Sequence, residues 1–198
     1  ESPMRPRSAL LALCLLAACD KKPQPAPSTG GPTKDMIPAE VCEEAKKAIR
    51  KKDWKALWDC YDPEASDVTV SNHFTRAWVS AGLKDKEKKL AELKALLAKH
   101  GAEAVEPGGT DEECRAKSAT LLKNVKDRYA LYRALVDFSL QCVAGDVSLF
   151  SEYETDFDQK VVNVKIDGDK AEGTLSVTEG NQVRFVKRNG VWKIVPRW

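Results

Sequence analysis

The feature that most restricts what this chain can fold into is a change of hydrophobic period about four fifths of the way along. From Pro38 to Cys142 apolar residues recur at helical spacing, whereas from about residue 160 they alternate strictly. Val162-x-Val164-x-Ile166, Ala171-x-Gly173-x-Leu175-x-Val177, Val183-x-Phe185 and Trp192-x-Ile194 each repeat at two. Asp167-Gly168, Gly180-Asn181 and Asn189-Gly190 stand between these runs as hairpin turns. Helices first and an antiparallel four-stranded meander last predict an α+β domain, with the helices covering one apolar face of the sheet.

The helices can be placed from their start and stop signals. Pro38 opens the first, with Val41, Ala45, Ala48 and Ile49 on one side up to Lys52. Asp53 caps a second, in which Trp54, Leu57, Trp58 and Tyr61 share a face before Pro63 ends it. A third runs from Ser66 or Asp67 to Ala81, turning Val70, Phe74, Ala77, Trp78 and Ala81 inward. The fourth extends from Asp85 to His100, with Leu90, Leu93, Leu96 and Leu97 as its apolar face and Gly101 as a left-handed stop. Thr110-x-x-Glu113 reads as a capping box for a fifth helix reaching toward Lys123. A sixth begins at about Asp127 and carries Tyr129, Tyr132, Leu135, Val136 and Phe138 to Cys142.

What precedes the helices speaks of export. Met4-Arg5-Pro6-Arg7 leads into an apolar run from Ala9 to Leu16, too short to span a bilayer, and then into Leu16-Ala17-Ala18-Cys19-Asp20. Residues 1–18 therefore read as a signal peptide. Leu16-Ala17-Ala18-Cys19 resembles the lipobox of bacterial lipoproteins, which implies acylation of Cys19 and attachment to the membrane through lipid. Stable anchoring needs more than one acyl chain, as such lipoproteins carry. Asp20 after the Cys hints at retention in the inner membrane. Residues 19–36, rich in Pro, Ser and Gly, are expected to be an extended tether, and residues 37–198 one domain.

Composition then excludes one class of partner. The whole chain carries 32 Lys+Arg against 30 Asp+Glu, and with Arg5, Arg7 and Glu1 removed in the leader the balance is +1. A nucleic-acid binder would gather positive charge on one face; here the charges interleave along helices from Glu40 to Lys52 and from Lys84 to Lys99, as solvated faces do.

With Cys14 in the leader and Cys19 taking lipid, Cys42, Cys60, Cys114 and Cys142 remain, and export predicts two disulfides. Counting allows three pairings. Cys42 and Cys60 lie about equally far from the break at Lys52-Asp53, so an antiparallel helix pair would bring them together. The same argument joins Cys114 to Cys142 if the chain breaks near Asn124 to Asp127; an unbroken helix would hold them about 42 Å apart. Zinc is disfavoured because no Cys-x-x-Cys or close Cys/His pair occurs. No metal or other cofactor is expected.

Two groups of residues carry a family likeness. Lys52-Asp53-Trp54-x-x-Leu57 with Asp62-Pro63 forms the first. The second joins Val164-x-Ile166-Asp167-Gly168-Asp169-Lys170-Ala171 to Phe185-Val186-Lys187-x-Asn189-Gly190-x-Trp192-Lys193-Ile194. Together they resemble bacterial domains of the nuclear-transport-factor-2-like superfamily, including SnoaL-like and lipoprotein members, over residues 37–62 and 160–198. The resemblance implies a cone-like fold with extra helices inserted between 64 and 158, and either binding of a small apolar ligand or a protein partner of the envelope, or acid/base catalysis in a pocket between helices and sheet.

No nucleophile elbow, zinc-protease helix, phosphate loop or dinucleotide fingerprint occurs. His73 and His100 are the only histidines, and His100 reads as a helix-end residue that complements the dipole. His73, beside Phe74, is the catalytic candidate among them. Asp137 interrupts the apolar run Leu135-Val136-Asp137-Phe138 and could be a buried acid, although Arg133 at i−4 offers a surface ion pair. Tyr129 completes the candidate set. Asp167-Gly168-Asp169 lacks the further oxygen ligands of a calcium loop and reads as a turn. Trp54, Trp58, Trp78 and Trp192 read as core. The expected function is a lipid-anchored extracytoplasmic binding or interaction module facing the periplasm, with a SnoaL-like acid/base enzyme as the alternative.

Overall fold

The computed structural model describes residues 30–83, 85–143, 159–176 and 182–197. Six helices come first and a four-stranded antiparallel sheet last, so the fold is α+β. The signal segment with Cys14, Cys19 and its neighbours, and the Gly180-Asn181 turn lie outside the described residues.

Helix α1 (Pro38–Arg50) starts as its sequence dictates, with Pro38 in the first turn and the Glu40 carboxylate accepting the Ile37 N–H at 2.9 Å. The described residues just before α1 touch the rest of the fold. Met36 packs against the core, Gly31 sits beside Asp59, and the Lys34 stem lies by Gly190.

In α2 (Trp54–Cys60) the Asp53 carboxylate accepts the Ala56 N–H at 3.0 Å, so a helix of under two turns has its start satisfied. A short 3-10 turn, Pro63–Ala65, leads into α3 (Ser66–Ala81), the central helix against which α6 (Arg128–Val143), α4 (Lys86–Lys99) and α5 (Asp111–Leu122) all pack. Val70, Phe74, Ala77 and Ala81 of α3 are buried, while Trp78 is only partly so. On α4 the buried stripe narrows to Leu93 and Leu97, with Leu90 and Leu96 at its margin. Gly101 adopts φ 73° as the expected left-handed stop. The capping box of α5 is formed: Glu113 N–H donates to Thr110 Oγ1, and Glu113 Oε2 accepts the N–H groups of Gly109 and Thr110.

The sheet runs β1 (Val161–Asp167), β2 (Lys170–Leu175), β3 (Gln182–Arg188) and β4 (Val191–Val195) in simple order. Helices α1 and α2 lie against it, and Ala171, Phe185 and Trp192 are its buried anchors. At Asn189-Gly190 both residues have positive φ, the backbone of a two-residue hairpin turn. One expectation fails in β1. Alternation from Val162 to Ile166 predicted one buried face, but a bulge breaks the register between Val162 and Lys165, with Asn163 at φ 54°. Val161 and Val164 pack inward instead, and Val162 faces solvent. Gly173 lies under the bulge; a Cβ there would come within 2.6 Å of Val161 Cγ1.

The helix charges are mostly solvated pairs, with one exception. Lys46 is buried, its Nζ donating to Glu43 at 2.6 Å and to the Gln159 carbonyl at 2.9 Å. Lys46 thereby ties α1 to the chain entering β1.

Neither expected disulfide is formed, and all four cysteines carry free thiols. Burial pushes both Cys42 and Cys60 up to about 12, and the α1–α2 pairing brings Cys42 close enough to add to the rise at Cys60. Pairing of Cys114 with Cys142 assumed that α5 and α6 fold back on each other. Both instead take α3 as their main neighbour. Cys114 ends beside the Gly108 carbonyl, and Cys142 in the field of Lys89 and Glu92.

Candidate functional site

The end of α2, the start of α3 and strand β4 meet around a cavity of about 130 Å³. Main-chain geometry fixes this junction. Tyr61 bridges Ile194 in parallel, and the Asp62 N–H donates to the Ile194 carbonyl at 2.8 Å, stitching the chain after α2 to the edge of β4. Pro63 then turns the chain so that Ser66 and Thr69, one helical turn apart on α3, face the same space as Trp58 and Asp59. From the sheet side, Lys193 completes the wall and donates from Nζ to the Asp59 carbonyl.

The floor is held by an ion pair 126 residues apart in sequence. Asp62, only 5 % exposed, receives Arg188 Nε at 3.0 Å and Nη2 at 3.1 Å, and the Glu64 N–H at 3.3 Å. Planar guanidinium and carboxylate matched in this way make a rigid two-point contact. Arg188 also reaches Glu64. Asp59, across the cavity, pairs with Lys55. The cavity thus presents one indole, two hydroxyls, two carboxylates already paired with Lys55 and Arg188, and the Lys193 amine held on a main-chain carbonyl.

Behind Trp58 lies an aromatic cluster. The Trp58 and Tyr132 ring centroids are 5.0 Å apart, Trp58 and Tyr129 5.7 Å, and Tyr129 and Tyr132 6.2 Å. The His73 ring meets Tyr132 edge-on at 4.7 Å. Tyr132 is fully buried, its hydroxyl meets no hydrogen-bond partner among the described residues, and burial raises its pKa. Burial likewise pushes the neighbouring Tyr61 up to about 12. It drives His73 down to about 3, with Arg76 adding to the effect, so the imidazole is neutral at physiological pH.

The sequence candidates do not assemble into an acid/base site. His73 and Tyr129 share Tyr132 as a neighbour, but neither lines the cavity. Tyr129 faces outward enough for Lys55 Nζ to approach its ring at 5.7 Å, and partial burial raises its pKa. Asp137 is not a buried acid; it pairs with Arg133 Nε at 2.8 Å, both side chains being more than a third exposed. A surface pair at i, i+4 explains it. His100 caps α4, and Asp167-Gly168-Asp169 forms a hairpin turn, as read from the sequence. Among the described residues no three His, Cys, Asp or Glu side chains gather to hold a metal, and no helix is long and apolar enough to cross a membrane.

The sequence pattern puts Trp58 in the core and gives no signal that joins Asp62, Ser66, Thr69, Arg188 and Lys193. These residues come from segments far apart in the chain, and no local spacing joins them. The Asp62-Pro63 pair was visible, but only as punctuation. No family model, curated protein or solved structure matches this chain.

Proposed function

We propose that this chain is a lipid-anchored binding module outside the cytoplasm that takes a small ligand in the cleft between α2, α3 and β4. One observation carries the reading: of the two recesses described, only this one has room for more than a water molecule. Its volume of about 130 Å³ contrasts with about 20 Å³ between α3 and α5, which is close to a single water. The helix-then-meander order agrees with a nuclear-transport-factor-2-like domain, and the Leu16-Ala17-Ala18-Cys19 motif with an envelope lipoprotein of the periplasmic side. Binding fits the cleft better than acid/base catalysis. The carboxylates and amine at its walls are engaged in pairs, and the neutral His73 stands behind an aromatic layer.

The cleft favours a compact, partly planar molecule that stacks on Trp58 and donates or accepts through Ser66, Thr69 and Lys193. Small fragments screened by NMR against the full chain in detergent micelles should shift the Trp58 indole resonance, and Lys193→Met should weaken the hits at least about tenfold. Hits indifferent to Lys193→Met and Trp58→Phe, or none at all, would overturn the cleft as the binding site. Anchoring is read separately: radiolabelled fatty acid should enter the wild-type chain and not Cys19→Ala.

A further inference from the structure

Among the described residues the outer edge of β1 is unpaired and carries a self-complementary pattern, and we infer that two copies of this chain pair antiparallel through β1, with Ile166 on the two-fold axis. This inference is independent of the cleft and of what it binds.

The register fixes which groups are available. Asp167 and Lys170 flank the two-residue turn Gly168-Asp169, with Gly168 at φ 56°, so they form the hydrogen-bonded pair that closes the hairpin. Hydrogen-bonded and non-bonded pairs alternate along an antiparallel ladder. Ile166, opposite Ala171, therefore turns its N–H and C=O away from β2 toward the outer edge. Among the described residues no strand lies on that side. The opposite edge differs, because Tyr61 and Asp62 bond to Ile194 there.

The side chain of Ile166 supplies a second observation. It stands in one cross-strand row with Ala171, Phe185 and Ile194, the row that forms the apolar face, yet Ala171 and Phe185 are 3 % and 2 % exposed while Ile166 is 57 % exposed. An apolar row that ends bare at an open edge gains burial when a strand is added beside it.

Charge identifies the strand. Placing Ile166 opposite its own copy puts Lys165 opposite Asp167 of the partner, and Asp167 opposite the partner's Lys165. Both residues are exposed. Within one chain Lys165 already faces Glu172, and Asp167 faces Lys170, so the added strand extends an alternation of signs across the axis. A foreign strand would meet Lys165 and the bulge at Asn163 as obstacles, which is how edges are ordinarily protected. The chain's own copy satisfies Lys165, and the pairing ends before the bulge, within Lys165 to Asp167. So short an interface belongs to weak, concentration-dependent dimers.

The test uses the purified full chain in non-ionic detergent under mild oxidation. Ile166→Cys should yield a covalent dimer on non-reducing gels, since the two sulfurs face each other across the axis. Wild type and Val162→Cys, whose copies lie several residues apart in this register, should not. Adding Lys165→Asp or Asp167→Lys singly should cut the Ile166→Cys dimer at least about fivefold by placing like charges opposite, and the two together should restore it. Equal crosslinking from Val162→Cys, or singles without effect, would place any dimer on another surface and overturn the proposal. No crosslinking with Ile166→Cys, together with its failure to react with maleimide, would show that another part of the chain covers this edge and would equally overturn it.

Discussion

His73 makes the stability of this fold pH-dependent in a window that few other groups share. Its imidazole ionises near 6.5 when exposed but only near 3 in the folded chain, because burial against Tyr132 and the nearby Arg76 oppose the charged form. Between those values the unfolded chain holds a proton that the folded chain does not. Stability therefore falls as pH falls through 6.5. From about pH 7 to about pH 5 the loss amounts to about 2 kcal/mol, the greater part of it below about pH 6. With a urea slope of about 2 kcal/mol/M for a domain of this size, the unfolding midpoint should drop by about 1 M. Replacing His73 by Gln removes the proton site, so urea titrations of both chains at the two pH values should show the drop in wild type and little of it in the variant. Glu92 and Glu113 are held below the ordinary carboxylate range by Lys89 and by the Gly109 and Thr110 N–H groups, so their contribution is lost only at lower pH. An equal midpoint drop in His73→Gln would assign the pH dependence to other groups and overturn the role of His73.

Tyr132→Phe removes a buried hydroxyl that no described group meets, and should stabilise the fold by about 1 kcal/mol, raising Tm by a few degrees in calorimetry; a loss of stability would reveal a partner for the hydroxyl. Gly101→Ala should cost about 2 kcal/mol in chemical unfolding, because φ is 73° and a Cβ would stand 2.8 Å from the Asn124 carbonyl oxygen; an unaffected midpoint would count against the left-handed stop at the end of α4. Under native conditions at mildly alkaline pH, Cys42 and Cys60 should alkylate far more slowly than the same thiols in urea, since burial holds both near 12; mass spectrometry of labelled peptides reads the rates, and rapid native labelling would contradict their burial.

Much of the fold was legible because it depends on short-range signals. Asp53, Thr110-x-x-Glu113, Gly101 and Asn189-Gly190 each set a local backbone conformation, and each acts where the sequence placed it. Errors arose where a local pattern met a tertiary demand. Alternation in β1 gave way to the bulge over Gly173, and the expected Cys114–Cys142 bridge gave way to α3, which separates α5 and α6 by attracting both. Asp137 was ambiguous by pattern alone, and only its exposure resolved it as half of a surface pair.

The order of elements, most of their ends and the α+β class follow from hydrophobic period, caps and turns, which act over a few residues. Packing in three dimensions is what brings Asp62 to Arg188 across 126 residues, sets Trp58 in the wall of a cavity, holds His73 neutral and leaves Ile166 bare at the sheet edge. The physical reason is that burial and charge pairing are properties of neighbours in space, and the packing of α3 against α6 and of β4 against α2 chooses those neighbours.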